Sequence, residues 1–196
     1  MGAEFELKYA ADPAQQDAVL KDLGDFASIT METTYYDTAD GALADRRITL
    51  RRRLENGVSV CTVKTPGDNN LRGEWETECD SIEVAVPILC KLGCPIDLPM
   101  LTKSGLMPVC GARFTRLAKT VEEKNCVVEI ALDRGVLFGG QREEKLCEVE
   151  VELKTGCREE AEAYAASLAD RYGLVPEEKS KFRRALALAR GEGYGI

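Results

Sequence analysis

Charged residues of both signs recur at every second position along most of the segments that read as β-strands. Glu4-x-Glu6-x-Lys8, Arg51-x-Arg53, Thr62-x-Lys64, Arg72-x-Glu74-x-Glu76-x-Glu78, Glu129-x-x-x-Asp133 and Glu148-x-Glu150-x-Glu152 each occupy one parity, and apolar residues dominate the other. Successive side chains of a strand point to opposite faces, so each strand has an apolar face and a charged one. Taken singly, the charged faces read as the wet side of an antiparallel sheet. Taken together they do not. Exposed strand faces favour Thr and mixed polar residues, whereas Arg51 and Arg53 stand apart from Glu148, Glu150 and Glu152 as segregated groups. A sheet closed into a barrel, apolar face outward under helices, turns these rows into the lining of a lumen.

The remaining pattern supports that closure. A strand is predicted over 2–10, and a helix from Asp12 (N-cap) and Pro13 (first helical residue) to Leu23. A Thr- and Tyr-rich strand follows over 27–38, then a short turn or helix over 39–46. Strands over 48–54 and 58–65 form a hairpin across Glu55-Asn56-Gly57, since Asn-Gly favours a tight turn. Residues 66–70 are another turn and 71–79 the next strand. A helix is expected over 81–92, kinked or displaced by Pro87. A loop-rich stretch runs to about 106, with a short helix near 98–103. Strands return over 108–121, 126–138 and 143–155. An alanine-rich helix spans 158–172, a basic one runs from Lys179 to Arg190, and residues 191–195 form a frayed tail. No stretch reads as an interdomain linker. The expected class is α+β, a single domain over residues 1–196: an eight-stranded antiparallel closed barrel, helices packed outside, its two halves joined near 80–106.

Composition narrows the chemistry. The 196 residues include no histidine, which removes Ser-His-Asp and Cys-His catalysis, histidine zinc sites and phosphohistidine intermediates. Neutral-pH catalysis then falls to carboxylates, lysines, tyrosines, thiols or metal-bound water, and carboxylates favour Mg²⁺ or Mn²⁺ over zinc. Eight cysteines are present without any Cys-x-x-Cys; Cys61 and Cys147 fall on the apolar parity and read as small buried hydrophobes. A net charge of −8 argues against nonspecific nucleic-acid or anionic-membrane binding. No apolar run reaches the ~18–20 residues that span a bilayer, and no signal peptide precedes the first strand, so the expected location is the cytoplasm.

Carboxylates on some strands and Arg or Lys on others suit a linear polyanion bound with a divalent cation. Metal ions take the carboxylate oxygens; arginines bind phosphate bidentately and lysines as point charges. At this point the sequence resembles the CYTH domain, the triphosphate tunnel metalloenzymes. Glu4-Phe5-Glu6-Leu7-Lys8 matches that family's Glu-x-Glu-x-Lys signature. Tyr35-Tyr36-Asp37-Thr38, Leu50-Arg51-Arg52-Arg53, Thr62-Val63-Lys64-Thr65, Arg72-Gly73-Glu74-Trp75-Glu76 and Phe114-Thr115-Arg116 follow in the family's order. So do Val128 to Gly135 (an acidic strand and turn), Glu148 to Leu153, and Ser180-Lys181. Around Arg116 the sequence departs from the family, since position 118 is Ala.

The resemblance implies metal ligation by Glu4, Glu6, Glu148 and Glu150, with Asp133, Glu129 and Glu152 as further candidates. It implies phosphate binding by Lys8, Arg51, Arg53, Lys64, Arg116 and Lys181, with Lys179 as the rival of Lys181. Glu4, Glu6, Lys8 and Glu150 are the expected catalytic residues, and Mg²⁺ or Mn²⁺ the expected cofactor. Arg72, Glu74, Glu76 and Arg184 are lining candidates whose plain alternative is a structural salt-bridge network. Tyr36 is a candidate orienting group beside Lys8. The implied activity is hydrolysis of inorganic triphosphate or a related short polyphosphate by in-line attack of water. Trp75 lies on the non-lumen parity, so no stacking platform for a base is evident. The alternatives are a class IV adenylate cyclase and a non-catalytic polyphosphate-binding module. The expected partner is this small molecule alone, with the chain a monomer or homodimer.

Overall fold

The computed structural model describes residues 2–67 and 71–192 of the chain. The elements are β1 (Gly2–Ala10), α1 (Pro13–Leu23), β2 (Ala27–Asp37), a 3-10 turn (Ala44–Arg46), β3 (Thr49–Glu55), β4 (Val58–Thr65), β5 (Leu71–Glu78), α2 (Ile82–Lys91) and α3 (Leu98–Leu101). The second half contains β6 (Met107–Glu123), β7 (Cys126–Gly139), β8 (Arg142–Gly156), α4 (Arg158–Tyr172), β9 (Val175–Pro176) and α5 (Lys181–Arg190). The sheet order is β5-β4-β3-β2-β6-β7-β8-β1-β9, with a further pairing of β5 to β1. Eight antiparallel strands therefore close on themselves, and no long edge is left to recruit another chain.

Local chemistry explains the boundaries. Asp12 caps α1 and exchanges a capping box with Gln15, and Pro13 supplies a preset φ at the first turn. Asn56 (φ 49) and Gly57 (φ 89) make the tight β3–β4 turn. Pro87 sits inside α2; the helix continues through it, forgoing the bond to the Glu83 carbonyl. The final helix starts at Lys181, because the Ser180 side chain caps it by accepting from the Arg183 amide. Lys179 thus lies before the helix rather than within it. β7 runs through Gly135 to Gly139, as the strand expected over 126–138 requires, and the turn falls at Gly140 (φ 60). Part of the 66–70 turn and most of the 191–195 tail lie outside the described residues.

Two apolar clusters sit on the outer face. One joins Phe5, Val128, Ile130, Val149 and Val151 to Val19 of α1 and Ala165 and Leu168 of α4. The other joins Leu50, Cys61 and Val63 to Val86 and Leu89 of α2 and Leu98 of α3. A third cluster, with Met31, Tyr35, Ala112, Phe114, Leu137 and Leu146, packs against Phe182 and Ala185 of α5. These strand residues share the parity of the charged lining, so α5 covers one end of the barrel. Gly139 permits the approach: a Cβ there would lie 2.3 Å from the Ala185 carbonyl oxygen. Where β2 borders the cavity its inward face is uncharged, carrying Met31, Thr33 and Tyr35, while Glu32 faces solvent and Asp37, at the strand's end, is buried and accepts from the amides of Thr38, Leu43 and Ala44.

All eight cysteines are free. Burial pushes the Cys61 thiol up to about 11 and the Cys110 thiol up to about 12. Neither forms the thiolate needed for attack at neutral pH. Ellman's reagent followed by mass spectrometry is expected to leave both unmodified in the native protein and to label them after unfolding. Labelling of either in the native state would show local opening of its cluster.

Candidate active site

The barrel encloses a cavity of about 1110 Å³. Of the residues expected to act, Glu4, Glu6, Lys8, Arg51, Arg53, Lys64, Arg116, Glu150 and Lys181 all border it. Their convergence follows from strand register. Glu6 pairs across to Glu152, Lys8 to Glu150 and Ala10 to Glu148, while Arg51 pairs to Thr62 and Lys64 to Glu74. Arg72, Glu74, Glu76, Glu129 and Glu152 line the cavity as well.

Charge is arranged in two networks. On the β3–β5 side, Lys64 Nζ lies 2.5 Å from Glu4 Oε2 and 3.5 Å from Glu74, which also meets Arg51 at 3.5 Å. Burial works against the Arg51 cation, but Glu74, Tyr35 and Glu4 together outweigh it, so its pKa is raised. Arg53 fares differently. Burial and then the neighbouring Arg51 lower its pKa, although Glu55 lies 2.5 Å away. The Nε atoms of Arg51 and Arg53 and the Thr62 hydroxyl are buried without a hydrogen-bond partner. Buried donors without acceptors beside a cavity suit an incoming anion. Arg53→Met is therefore expected not to lower the ligand-free thermal midpoint, yet to weaken tripolyphosphate binding about tenfold. A midpoint several degrees lower would assign Arg53 to holding the barrel instead.

On the β6–β8 side, Arg116 binds Asp133 in a fork at 2.8 and 2.7 Å and reaches Glu150 at 2.5 Å. Lys181 Nζ meets Asp133, Glu148 and Glu150 at 2.8, 2.7 and 2.5 Å. Burial opposes both cations, but these carboxylates hold each well above its ordinary pKa. Burial would raise Glu150; Lys181 and then Arg116 drive it well below the usual carboxylate range. Glu148 and Glu6 remain raised, chiefly by burial. Lys8 takes part in none of the ion pairs found among the described residues, and its charge lowers Glu148 and Glu150.

Acidic oxygens of Asp133, Glu148 and Glu150 lie within 4.8 Å of one another. A compact set of hard oxygen donors fits a divalent cation of the Mg²⁺ or Mn²⁺ type. Asp133 and Glu148 are wholly buried and do not border the cavity; they stand behind Glu150. Glu4 belongs to the β3–β5 side through Lys64, and Glu6, on β1 beside β8, feels the charges of both Glu150 and Lys64.

Other expectations shift. Arg184 does not border the cavity; it binds Glu144 and Glu148 and ties α5 to β8. Tyr36 belongs to the outer cluster, and its neighbour Tyr35 faces the lumen, its ring tilted 44° to that of Phe182 with centroids 5.2 Å apart. Trp75 packs with the outer cluster yet also touches the cavity. Lys119 donates to the Leu23 and Gly24 carbonyls at the end of α1. One lining cation escaped the sequence reading. Lys154 bridges Glu152 at 2.8 Å and Glu129 at 3.5 Å, and its place two residues after Glu152 was the available signal.

A family profile described as the CYTH domain matches residues 2–186. The inorganic triphosphatase of Haemophilus influenzae is 28% identical over 192 residues, covering 94% of this chain and 54% of its own length. The chain thus spans about half the length of that curated relative. Among solved structures, a Hippeastrum protein described as an adenylyl cyclase candidate with a dominant triphosphatase activity superposes with a TM-score of 0.64 at 17% identity, covering 99% of this chain and 98% of the other. The PH1819 protein of Pyrococcus horikoshii gives a TM-score of 0.63 at 20% identity, with coverages of 93% and 98%. At these identities the superpositions establish a shared fold. Among the described residues no helix is long and apolar enough to cross a membrane.

Proposed function

The chain belongs to the CYTH domain family, and from that premise we propose that it is a divalent-metal-dependent triphosphatase acting on inorganic triphosphate or a related short polyphosphate. The observation that carries this reading is one enclosed cavity bordered by two cationic groups, Arg51, Arg53 and Lys64 on one flank and Arg116 and Lys181 on the other, with carboxylates between them. A single phosphate needs one such group; a chain of phosphates needs several in sequence. The curated relative named an inorganic triphosphatase, of which this chain spans about half, supports the same substrate class.

Arg51, Arg53 and Lys64 would hold one end of the substrate and Arg116, Lys181 and Lys8 the other. Glu150, backed by Asp133 and Glu148, would hold metal on one flank, Glu4 on the other, and Glu6 between them on β1. A bound Mg²⁺ or Mn²⁺ ion supplies neutralisation of phosphate oxygens and activation of the attacking water. Lys181, which bonds all three clustered carboxylates, is the group free to turn toward a phosphoryl oxygen once those oxygens have another cation. Water attacks the terminal phosphorus in line with the bridging oxygen, that P–O bond breaks, and pyrophosphate leaves with orthophosphate. Glu6 borders the cavity and burial raises its proton affinity, so it suits the role of accepting the proton of the water. The cations stabilise the charge that spreads over the leaving group.

A second reading, cyclisation of ATP, is favoured by one feature. Ile29, Met31, Thr33 and Tyr35 give the cavity a neutral wall along β2, where an organic group would meet little charge. Both readings are separated by offering inorganic triphosphate and ATP with Mg²⁺ or Mn²⁺ and measuring orthophosphate, pyrophosphate and cyclic AMP together. Orthophosphate chiefly from inorganic triphosphate is expected. Cyclic AMP with pyrophosphate would transfer the assignment to the cyclase, and binding without turnover to a polyphosphate receptor.

A further inference from the structure

Gln16 of α1 is almost wholly buried, at 2% exposure, among the outer cluster that docks the helix on β7 and β8. Its Nε2 donates to the backbone carbonyl of Asp133 at 3.0 Å and to that of Glu148 at 2.8 Å. Those two residues face each other across the β7–β8 ladder, and their side chains provide two of the three clustered carboxylates on the inner face. The amide stands directly behind them on the outer face. Its orientation is fixed by chemistry. Arg134 Nε lies 2.9 Å from the Gln16 Oε1, and a guanidinium can only donate, so the oxygen of the amide must point to it and the NH₂ to the carbonyls. Arg134 is itself held by Asp17 at 2.7 Å and by the Pro13 carbonyl at 3.1 Å.

We propose that Gln16 is a positioning residue for the acidic cluster: it clamps the Asp133–Glu148 strand pair from outside the barrel and thereby sets the separation of their carboxylates within it. An apolar residue would satisfy the packing of α1, because Val19, one turn on, docks on the same surface without any polar contact. A glutamine here leaves a polar amide to be satisfied under the helix, and it is satisfied by the carbonyls of the two residues whose side chains must converge. The inference rests on the metal reading given above, in which Asp133 and Glu148 back Glu150 as ligands. Partners one step behind metal ligands typically change affinity about 10–100-fold when removed.

The test compares Gln16→Met, which keeps the volume and removes the donors, with Val19→Ala, which opens a cavity in the same helix interface without touching the carbonyls. Free Mn²⁺ is followed by its EPR signal during titration, and each variant's thermal midpoint is measured in chelator. Gln16→Met is expected to lower Mn²⁺ affinity about tenfold, and Val19→Ala to lower the midpoint while leaving Mn²⁺ affinity as in the wild type. Equal affinity of Gln16→Met and wild type overturns the inference, as does an equal loss in both variants, which would mean that any weakening of α1 docking has the same effect. Should Gln16→Met not fold, Arg134→Met keeps the donors but frees the amide, with an expected loss of about threefold; no loss overturns the inference. If the wild type itself binds no Mn²⁺, the metal reading fails first and the inference with it.

Discussion

Glu150→Gln is expected to reduce metal-dependent triphosphate hydrolysis by about a hundredfold while leaving the circular dichroism spectrum unchanged. Glutamine preserves the shape of the side chain and removes its charge. In the wild type that charge meets both Lys181 and Arg116 at 2.5 Å, and Glu150 is the member of the acidic cluster that borders the cavity. The substitution removes a hard oxygen ligand and leaves the two cations competing for Asp133 and Glu148 alone. Steady-state orthophosphate release, measured across a Mn²⁺ series, checks it; full activity at saturating metal would remove Glu150 from the catalytic group. Stability carries a second signature. Lys181 and Arg116 hold the folded-state pKa of Glu150 well below its ordinary value of 4.5. Its ionisation therefore stabilises the fold fully above 4.5, and that contribution is lost as pH falls through the depressed folded value. The wild type's advantage over Glu150→Gln in urea unfolding should shrink as the pH drops below 4.5.

Arg116→Ala is expected to cost about 3 kcal/mol of stability as well as activity. Asp133 is wholly buried and takes two bonds from the Arg116 guanidinium. Removing one partner of a buried pair leaves the other desolvated, which costs more than the pair contributes net. Lys181 still contacts Asp133 at 2.8 Å, and that contact keeps the loss at the lower end of the range for broken buried pairs. Urea unfolding at neutral pH reads the effect. A loss near zero would mean that Lys181 alone balances the cluster. The contrast with Arg53→Met is instructive, because two arginines of one cavity are expected to move stability in different ways. Arg116 is matched by carboxylates, while Arg53 is crowded by Arg51.

The alternating charged rows made the barrel legible, since a side-chain period of two fixes which residues converge once closure is assumed. The rows place Glu4, Glu6, Arg51, Lys64 and Glu150 on the lumen side, and the resemblance to the family supplies their expected roles. Four things were not legible, each for a physical reason. The wall that β2 gives the cavity is uncharged, with Thr33 beside Met31 and Tyr35, and the Thr- and Tyr-rich pattern gives no sign of which face is buried. Tyr35 and Tyr36 are adjacent, so choosing between them needs the strand's parity relative to its neighbours, which the pairing Tyr35 to Arg51 supplies. Depth is invisible as well. Glu148 and Glu150 share a strand face, yet one stands behind the lining and the other on it, because Lys181 and Arg184 arrive from α5, more than thirty residues further along the chain. Gln16 offered no signal at all: a lone glutamine in an amphipathic helix reads as solvated until its two carbonyl partners are seen.

The closure of β1 onto both β5 and β8 also bears on time. Phe5 faces Leu153, so the first strand of the barrel cannot complete its ladder until nearly the whole barrel has been synthesised. Contacts of such sequence separation form slowly, because the chain loses loop entropy before the pairing rewards it. Hairpins such as β3–β4 and β7–β8 can assemble locally, but the flank carrying Glu4 and Glu6 has to wait. Pulse-labelled hydrogen exchange during refolding should protect β3, β4, β7 and β8 before β1; early protection of β1 would mean that closure nucleates the fold. Until that last strand docks, the chain has its inward-facing arginines and its acidic cluster but no enclosed chamber, so an interrupted nascent chain carries the charges of the cavity without the cavity.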